Sequence, residues 1–210
     1  MRTVAAEIVA PDPFAQLVSL ACHDLRTPLA TASGFARTLQ RLDQIGQPAD
    51  RYVDMIGAAT DQMAALLDLL SAAARVEDGR FEPERRPVDS RQLAEAAAQR
   101  ADSGRITVTG EGADVETDPH WASLSLGALA EAARRHGGLE QVTLTVNGEE
   151  IAIGPIVDNA GAIAAGQELR DFAAAVGTRV LQACGAAVEV DGERLLVRLP
   201  TAEASTAAGP

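Results

Sequence analysis

His23 and the polar residues that follow it form the clearest chemical pattern in this 210-residue sequence. Asp24 is the next residue, and Thr27 stands about one helical turn further along. An imidazole can accept or donate a proton near neutral pH, and a neighbouring carboxylate can hold the proton of one ring nitrogen. The other nitrogen then keeps its lone pair. The pattern therefore predicts a nucleophilic histidine.

A long amphipathic helix must position that histidine. On a projection of about 100° per residue, apolar residues recur at steps of three and four along one side of the helix; they are Phe14, Leu17, Val18, Ala21, Leu25, Leu29, Ala32, Phe35, Ala36 and Leu39. His23 falls about 180° from the centre of this stripe, near Thr27, Ala30 and Gly34. We therefore expect the imidazole to lie in solvent, opposite the packing side.

The apolar pattern predicts two helices joined by a short turn. The first is predicted over residues 13–43, with Pro28 kinking it beside His23 or acting as a simple irregularity. A turn at residues 45–48 leads to a second helix at about 50–76. This order predicts an antiparallel hairpin. One hairpin cannot cover both apolar stripes, so we expect a homodimer in which two hairpins form a four-helix bundle.

The second half of the chain alternates helix-like and strand-like segments. Helices are predicted at about 89–101, 119–135 and 167–184, and strands within 106–118, 141–157 and 186–200. The segment 77–87 is charged and contains Gly and Pro, so it is read as a linker. The chain is therefore predicted to be α+β, with one mixed sheet backed by helices. The predicted division is a lead-in at 1–12, the hairpin at 13–80, a linker at 81–88, an α/β sandwich at 89–200 and a tail at 201–210.

Composition excludes several classes of function. The net charge of −12 argues against non-specific binding to nucleic acid or to anionic membranes. Two cysteines, Cys22 and Cys184, cannot make a disulfide framework, and a reducing cytoplasmic setting is expected. No signal peptide or apolar run of about 18 residues is found, so no membrane insertion is expected. The spacings among the cysteines, His23 and His120 do not fit a zinc site, and His120 and His136 are expected to be surface residues.

The segment His23–Leu29, HDLRTPL, resembles the H-box of two-component sensor histidine kinases. The similarity extends from this box through the second helix to about Arg80. It implies that His23 accepts a phosphoryl group on its outer ring nitrogen and that Asp24 fixes the tautomer. It also implies that Thr27 can orient a water for phosphatase activity.

The same resemblance implies a response-regulator receiver domain as partner. Arg26 is then a contact for phosphate or for an acidic surface, although a solvated helix arginine is an equal alternative. Ala30 and Gly34 would form a low surface that lets a partner helix approach His23. Alternatively, Gly34 only eases packing within the bundle.

The second half resembles the ATP-binding domain of that family in outline. The helix that supplies a magnesium-binding Asn in the family has Glu131 at the corresponding position. The family's Asp with two spaced glycines is matched only by residues 158–162, DNAGA, in which Asp158 could still meet an adenine. The second Gly-rich box and the flexible lid are missing. We therefore interpret Glu131 and Asp158 as vestigial.

An intact phospho-acceptor motif joined to an altered nucleotide site predicts a dimeric histidine phosphotransferase or pseudokinase that needs no cofactor. One alternative is an ATP-dependent histidine kinase that uses Glu131 for magnesium and Asp158 for adenine. The other is a non-catalytic dimeric scaffold.

Overall fold

Two long helices form the first part of the computed structural model, which describes residues 13–41, 47–77, 79–101, 104–157 and 159–201. Helix α1 is Pro13–Arg41 and helix α2 is Gln47–Glu77. Pro13 suits the first helical position because its missing N–H would have no partner there. Helix α1 runs through Pro28. The turn predicted at residues 45–48 lies outside the described residues except for its last two positions, which begin α2.

The second part is a sandwich of helices on a mixed sheet. Its helices are α3 Ser90–Arg100, α4 Pro119–His136, α5 Ala160–Ala164 and α6 Phe172–Ala183. Its strands are β1 Arg86–Asp89, β2 Ile106–Gly112, β3 Asp114–Thr117, β4 Val142–Gly148, β5 Glu150–Gly154, β6 Ala187–Asp191 and β7 Arg194–Arg198. Five strands form one sheet in the order β2-β4-β5-β7-β6, in which only β2 and β4 are parallel.

The sheet buries one face against the helices, as alternation along β4 illustrates. Val142, Leu144 and Val146 are buried, whereas Thr145 between them is exposed. The buried set packs with residues of α3 and α4 in the main apolar core. The predicted α+β class, a helical hairpin followed by a sheet-and-helix sandwich, is confirmed.

Three local predictions are wrong. Residues 86–88, expected in the linker, belong to β1, which pairs with β3 in a separate two-stranded sheet. Helix α6 begins at Phe172 rather than at 167, because the Asp171 side chain caps it by accepting from the Ala174 N–H. The strand expected to reach 157 ends at Gly154, and the short helix α5 was not predicted.

Within one chain, α1 buries only part of the predicted stripe. Leu17, Ala21 and Pro28 are buried, but Leu29, predicted to pack, is 56 % exposed. Phe14 and Val18 are exposed as well. Within one chain α1 contacts α2 and α6, and these two helices leave Val18 and Leu29 on the exposed side of the stripe.

The hairpin and the sandwich share one apolar cluster. It contains Leu17 and Ala21 of α1, four residues of α2, and Phe172, Ala175, Val176 and Val180 of α6. The segment after α2 adds Phe81, whose ring lies edge-on to Trp121 of α4 with centroids 5.8 Å apart. None of the helices in the described ranges is long and apolar enough to cross a membrane.

Candidate functional site around His23

His23 projects from α1 into solvent, as its place on the helical projection predicts. Its side chain is 76 % exposed. The ring Nδ1 lies 3.0 Å from Oδ1 of Asp24. When Nδ1 carries the proton it donates to this carboxylate, and Nε2 keeps its lone pair facing solvent. The arrangement can present Nε2 as a nucleophile.

Asp24 links this imidazole to the sandwich. Its side chain is only 24 % exposed, because it lies on the α1 face that packs against α6. Its second oxygen, Oδ2, accepts from the backbone N–H of Phe172 at 3.3 Å. Each carboxylate oxygen therefore has its own donor. The sequence predicted the hydrogen bond between Asp24 and His23, but not the second bond to the Phe172 N–H.

The remaining residues singled out on α1 form an exposed surface beside His23. Arg26, Thr27, Ala30 and Gly34 are all exposed. A Cβ added to Gly34 meets none of the described atoms of neighbouring elements within 4 Å, so no packing among the described residues requires a glycine there. The roles predicted for these four residues stay predictions.

The start of α6 is held by a buried acid that the sequence reading did not single out. Asp171 is 1 % exposed and caps the helix. Its Oδ2 also accepts from Arg135 Nη2 at 2.5 Å and lies 3.0 Å from His136 Nε2. His136, expected only as a surface residue, thus helps to fix the α6 terminus. An Asp just before an apolar helical run was the available signal.

Glu131 and α5 lie in the region where the sequence resemblance implies a nucleotide site. Arg134 binds both carboxylate oxygens of Glu131, at 2.6 and 3.0 Å. Asp158 lies outside the described residues. In α5, Ala160, Ile163 and Ala164 are buried. A Cβ on Gly161 would come within about 3 Å of Ile156 and Val190, so side chains fill the space beside it. Among the described residues, Glu131 is thus paired with Arg134, and α5 is packed against apolar side chains.

Two cavities in the described structure lie away from both the surroundings of His23 and those of Glu131. One of about 360 Å³ is lined by Thr143, Thr145 and Arg194 among others, on the open face of the sheet. The other, of about 320 Å³, is lined by residues that include Arg85 and His120. Neither touches His23, Glu131 or α5.

Cys184 has no sign of reactivity. It is fully buried, and burial, followed by the charge of Asp118, raises the pKa of its thiol from 9.0 to about 11. A thiol in this state is a poor nucleophile. Among the described residues, no three His, Cys, Asp or Glu side chains are grouped to hold a metal ion.

Comparison with known proteins identifies the helical hairpin. Residues 15–79 match the model of the His Kinase A (phospho-acceptor) domain. Over 79 residues the chain is 34 % identical to the probable sensor histidine kinase TcrY of Mycobacterium tuberculosis. That alignment covers 38 % of this chain and 16 % of the relative.

Solved structures share the fold of both parts. The histidine kinase AdeS of Acinetobacter baumannii matches with a TM-score of 0.59 at 15 % identity, over 86 % of this chain and 98 % of that one. Full-length ShkA in complex with AMPPNP matches with a TM-score of 0.50 at 22 % identity, over 91 % of this chain and 46 % of that one. At these identities the likeness concerns the fold.

Proposed function

Because the chain belongs to the two-component histidine kinase family through the phospho-acceptor domain at residues 15–79, we propose that it receives and passes on a phosphoryl group at His23. The other party is an aspartate of a response-regulator receiver domain. The observation that carries the proposal is the exposed imidazole whose Nδ1 lies 3.0 Å from Asp24. The exposed surface formed by Arg26, Thr27, Ala30 and Gly34 is where the receiver would dock.

The chemistry follows from the His23–Asp24 pair. Nε2 attacks the phosphorus of the receiver's aspartyl phosphate, and the Nε2–P bond forms as the P–O bond breaks. The receiver carboxylate leaves with the bonding electrons. The Nδ1 proton stays shared with Asp24, whose charge offsets the positive charge that develops on the ring. Transfer to a second receiver is the reverse reaction. Thr27, which is exposed on α1, would orient a water against a receiver's aspartyl phosphate and so give phosphatase activity.

The surroundings of Glu131 support transfer between proteins rather than from ATP. A magnesium ion bound to triphosphate needs free carboxylate or amide oxygens, and phosphates need backbone donors or cations. The Glu131 carboxylate is already bound by Arg134, whose side chain is 14 % exposed. The burial of Ala160, Ile163 and Ala164 in α5 is a second observation in favour of this interpretation.

The exposed apolar surface of the hairpin supports a homodimer. Two exposed side chains of α1 continue the predicted stripe, and α2 exposes three more; they are Val18, Leu29, Val53, Met55 and Leu67. Apolar side chains exposed along one helical pair are typical of a surface that another pair covers. A second copy of the hairpin would complete a four-helix bundle.

The proposal is tested by incubating the purified chain with a receiver domain carrying a radiolabelled aspartyl phosphate. The label should move to the wild-type protein and not to His23→Ala. His120→Ala is the matched control, because it removes another exposed imidazole and should leave labelling unchanged. Unlabelled wild-type protein, or equal labelling of His23→Ala, would reject phosphoryl transfer at His23.

The same family membership keeps two alternatives open to experiment. An ATP-dependent kinase predicts that millimolar Mg-ATP raises the melting temperature, through preferential binding to the folded state. We expect no shift. A scaffold predicts that His23→Ala preserves both receiver binding and signalling output. We expect output to be lost while binding persists.

A further inference from the structure

We infer that the backbone N–H of Phe172 is a positioning group for His23, acting through Asp24. On this view the docked sandwich completes the phosphoryl-transfer site on the hairpin. The inference rests on the proposed function, because it assigns a role within phosphoryl transfer at His23. It starts from the two hydrogen bonds of Asp24, to His23 Nδ1 at 3.0 Å and to Phe172 N at 3.3 Å.

The second bond restricts the first. A carboxylate held by one exposed imidazole can turn about its side-chain torsions, and neighbouring residues on a helix do not naturally face each other. With Oδ2 bound to a backbone N–H, the carboxylate plane is fixed and Oδ1 stays toward Nδ1. Phe172 is the first residue of α6, so its N–H has no acceptor inside that helix. Asp24 supplies the missing acceptor.

Packing fixes the position of this N–H relative to α1. The Phe172 side chain is 0 % exposed, in the same apolar cluster as Leu17 and Ala21, which precede Asp24 on its own face of α1. Asp171, immediately before it, is buried against Arg135 and His136. The donor therefore comes from a terminus with little freedom to move.

The consequence concerns the tautomer of His23. While the sandwich is docked, Asp24 favours the proton on Nδ1 and leaves Nε2 free for phosphorus. Without the Phe172 N–H, the carboxylate is free to rotate, and the ring should move toward the tautomer mixture of an isolated imidazole. Phosphorylation should slow by about three- to tenfold, less than for loss of the Asp24 carboxylate itself, because this hydrogen bond acts on the rate only by orienting that carboxylate.

The matched variants are Phe172→Pro and Phe172→Ala. Both remove the ring from the apolar cluster, but only proline removes the N–H. Proline suits a first helical position, and Asp171 before it already has the extended backbone, φ −132° and ψ 112°, that proline requires. The ring ¹⁵N signals of His23, identified by their absence from His23→Ala, report its tautomer without any partner.

We expect Nδ1–H to dominate in the wild type and in Phe172→Ala, and to lose population in Phe172→Pro. Equal tautomer populations in both variants would overturn the inference. Phenyllactic acid at position 172 repeats the test with the ring retained, because it replaces only the N–H with an ester oxygen. The same replacement at Phe81, in the segment after α2, controls for the ester.

Labelling by potassium phosphoramidate measures the rate at which His23 is phosphorylated without a partner protein. Its N–P bond breaks as the Nε2–P bond of His23 forms, and ammonia leaves. The ester at position 172 should label three- to tenfold more slowly than the ester at Phe81, and equal rates would count against the inference. Failure of the wild type to label at His23, from phosphoramidate and from a phosphorylated receiver, would instead reject the proposed function. The tautomer comparison still decides the inference in that case.

Discussion

Replacement of Asp24 by asparagine separates the charge and hydrogen bonding of this residue from its size. Asp24 accepts from His23 Nδ1 on one oxygen and from the Phe172 N–H on the other. Asparagine has one oxygen and an amino group, so it can accept only one of these bonds and must turn a donor toward the other. Either orientation damages the arrangement. The side chain keeps its shape, which preserves packing against α6.

The magnitude follows from the lost bond. A hydrogen bond to a charged group contributes about 1.5–3 kcal/mol, and partial exposure of Asp24 places it at the low end. About 1.5 kcal/mol corresponds to roughly a tenfold change in rate. We therefore expect Asp24→Asn to accept phosphoryl groups about ten times more slowly than the wild type.

The assay is single-turnover transfer from a phosphorylated receiver, with receiver concentration varied to reach saturation. Asp68→Asn, on the exposed face of α2, makes the same charge change away from the site and should transfer at the wild-type rate. A saturating rate for Asp24→Asn within twofold of the wild type, in a folded protein, would refute the role given to Asp24. A change confined to apparent affinity would refute it as well, because the carboxylate would then act in docking.

Three further outcomes are expected. In Cys22→Ala protein, the pKa of the buried Cys184 thiol is raised, so this thiol stabilises the folded state. Its contribution to the free energy of unfolding is complete below pH 9 and is lost as pH rises through about 11. Urea unfolding should show a loss of about 2–3 kcal/mol over this window, absent when Cys184 is also alanine; an equal loss in both proteins would contradict it. Leu29→Glu places a charge at the proposed dimer surface and should yield folded monomers by light scattering, whereas persistent dimers would exclude Leu29 from the interface. Asp171→Ala removes a helix cap and leaves Arg135 and His136 without their buried acceptor, so the free energy of unfolding should fall by about 2–4 kcal/mol; a fall below about 0.5 kcal/mol would show that the cluster is dispensable.

Helix periodicity was a good guide to elements and a poorer guide to their partners. The exposure of His23 was predictable because it depends only on the angle between one residue and the apolar stripe of its own helix. Leu29 lies within that stripe and is exposed in the single chain, because α2 and α6 cover only part of the stripe. A stripe tells which residues avoid water, but it does not tell which neighbour covers each of them.

Strands and helix starts were likewise predictable only where their partners are near in the sequence. The hairpin of β6 and β7 was predictable from alternation around Asp191-Gly192, since its partners adjoin in sequence. Strand β1 was not, because its four residues are extended only through pairing with β3, and they read alone as the end of a charged linker. The start of α6 was misplaced because residues 167–170 are compatible with helix locally, and the bonds of Asp171 depend on α4.

The sequence by itself determined what depends on near neighbours in the chain: the long helices, the histidine beside an acid, the exposed face and the resemblance to a phospho-acceptor motif. Tertiary structure alone decided which donor shares Asp24 with His23. That donor, the N–H of Phe172, lies 148 residues away. Any residue other than proline carries such a backbone group, so no residue type signals it. Only the packing of α6 onto α1 brings it within hydrogen-bonding distance of the Asp24 carboxylate.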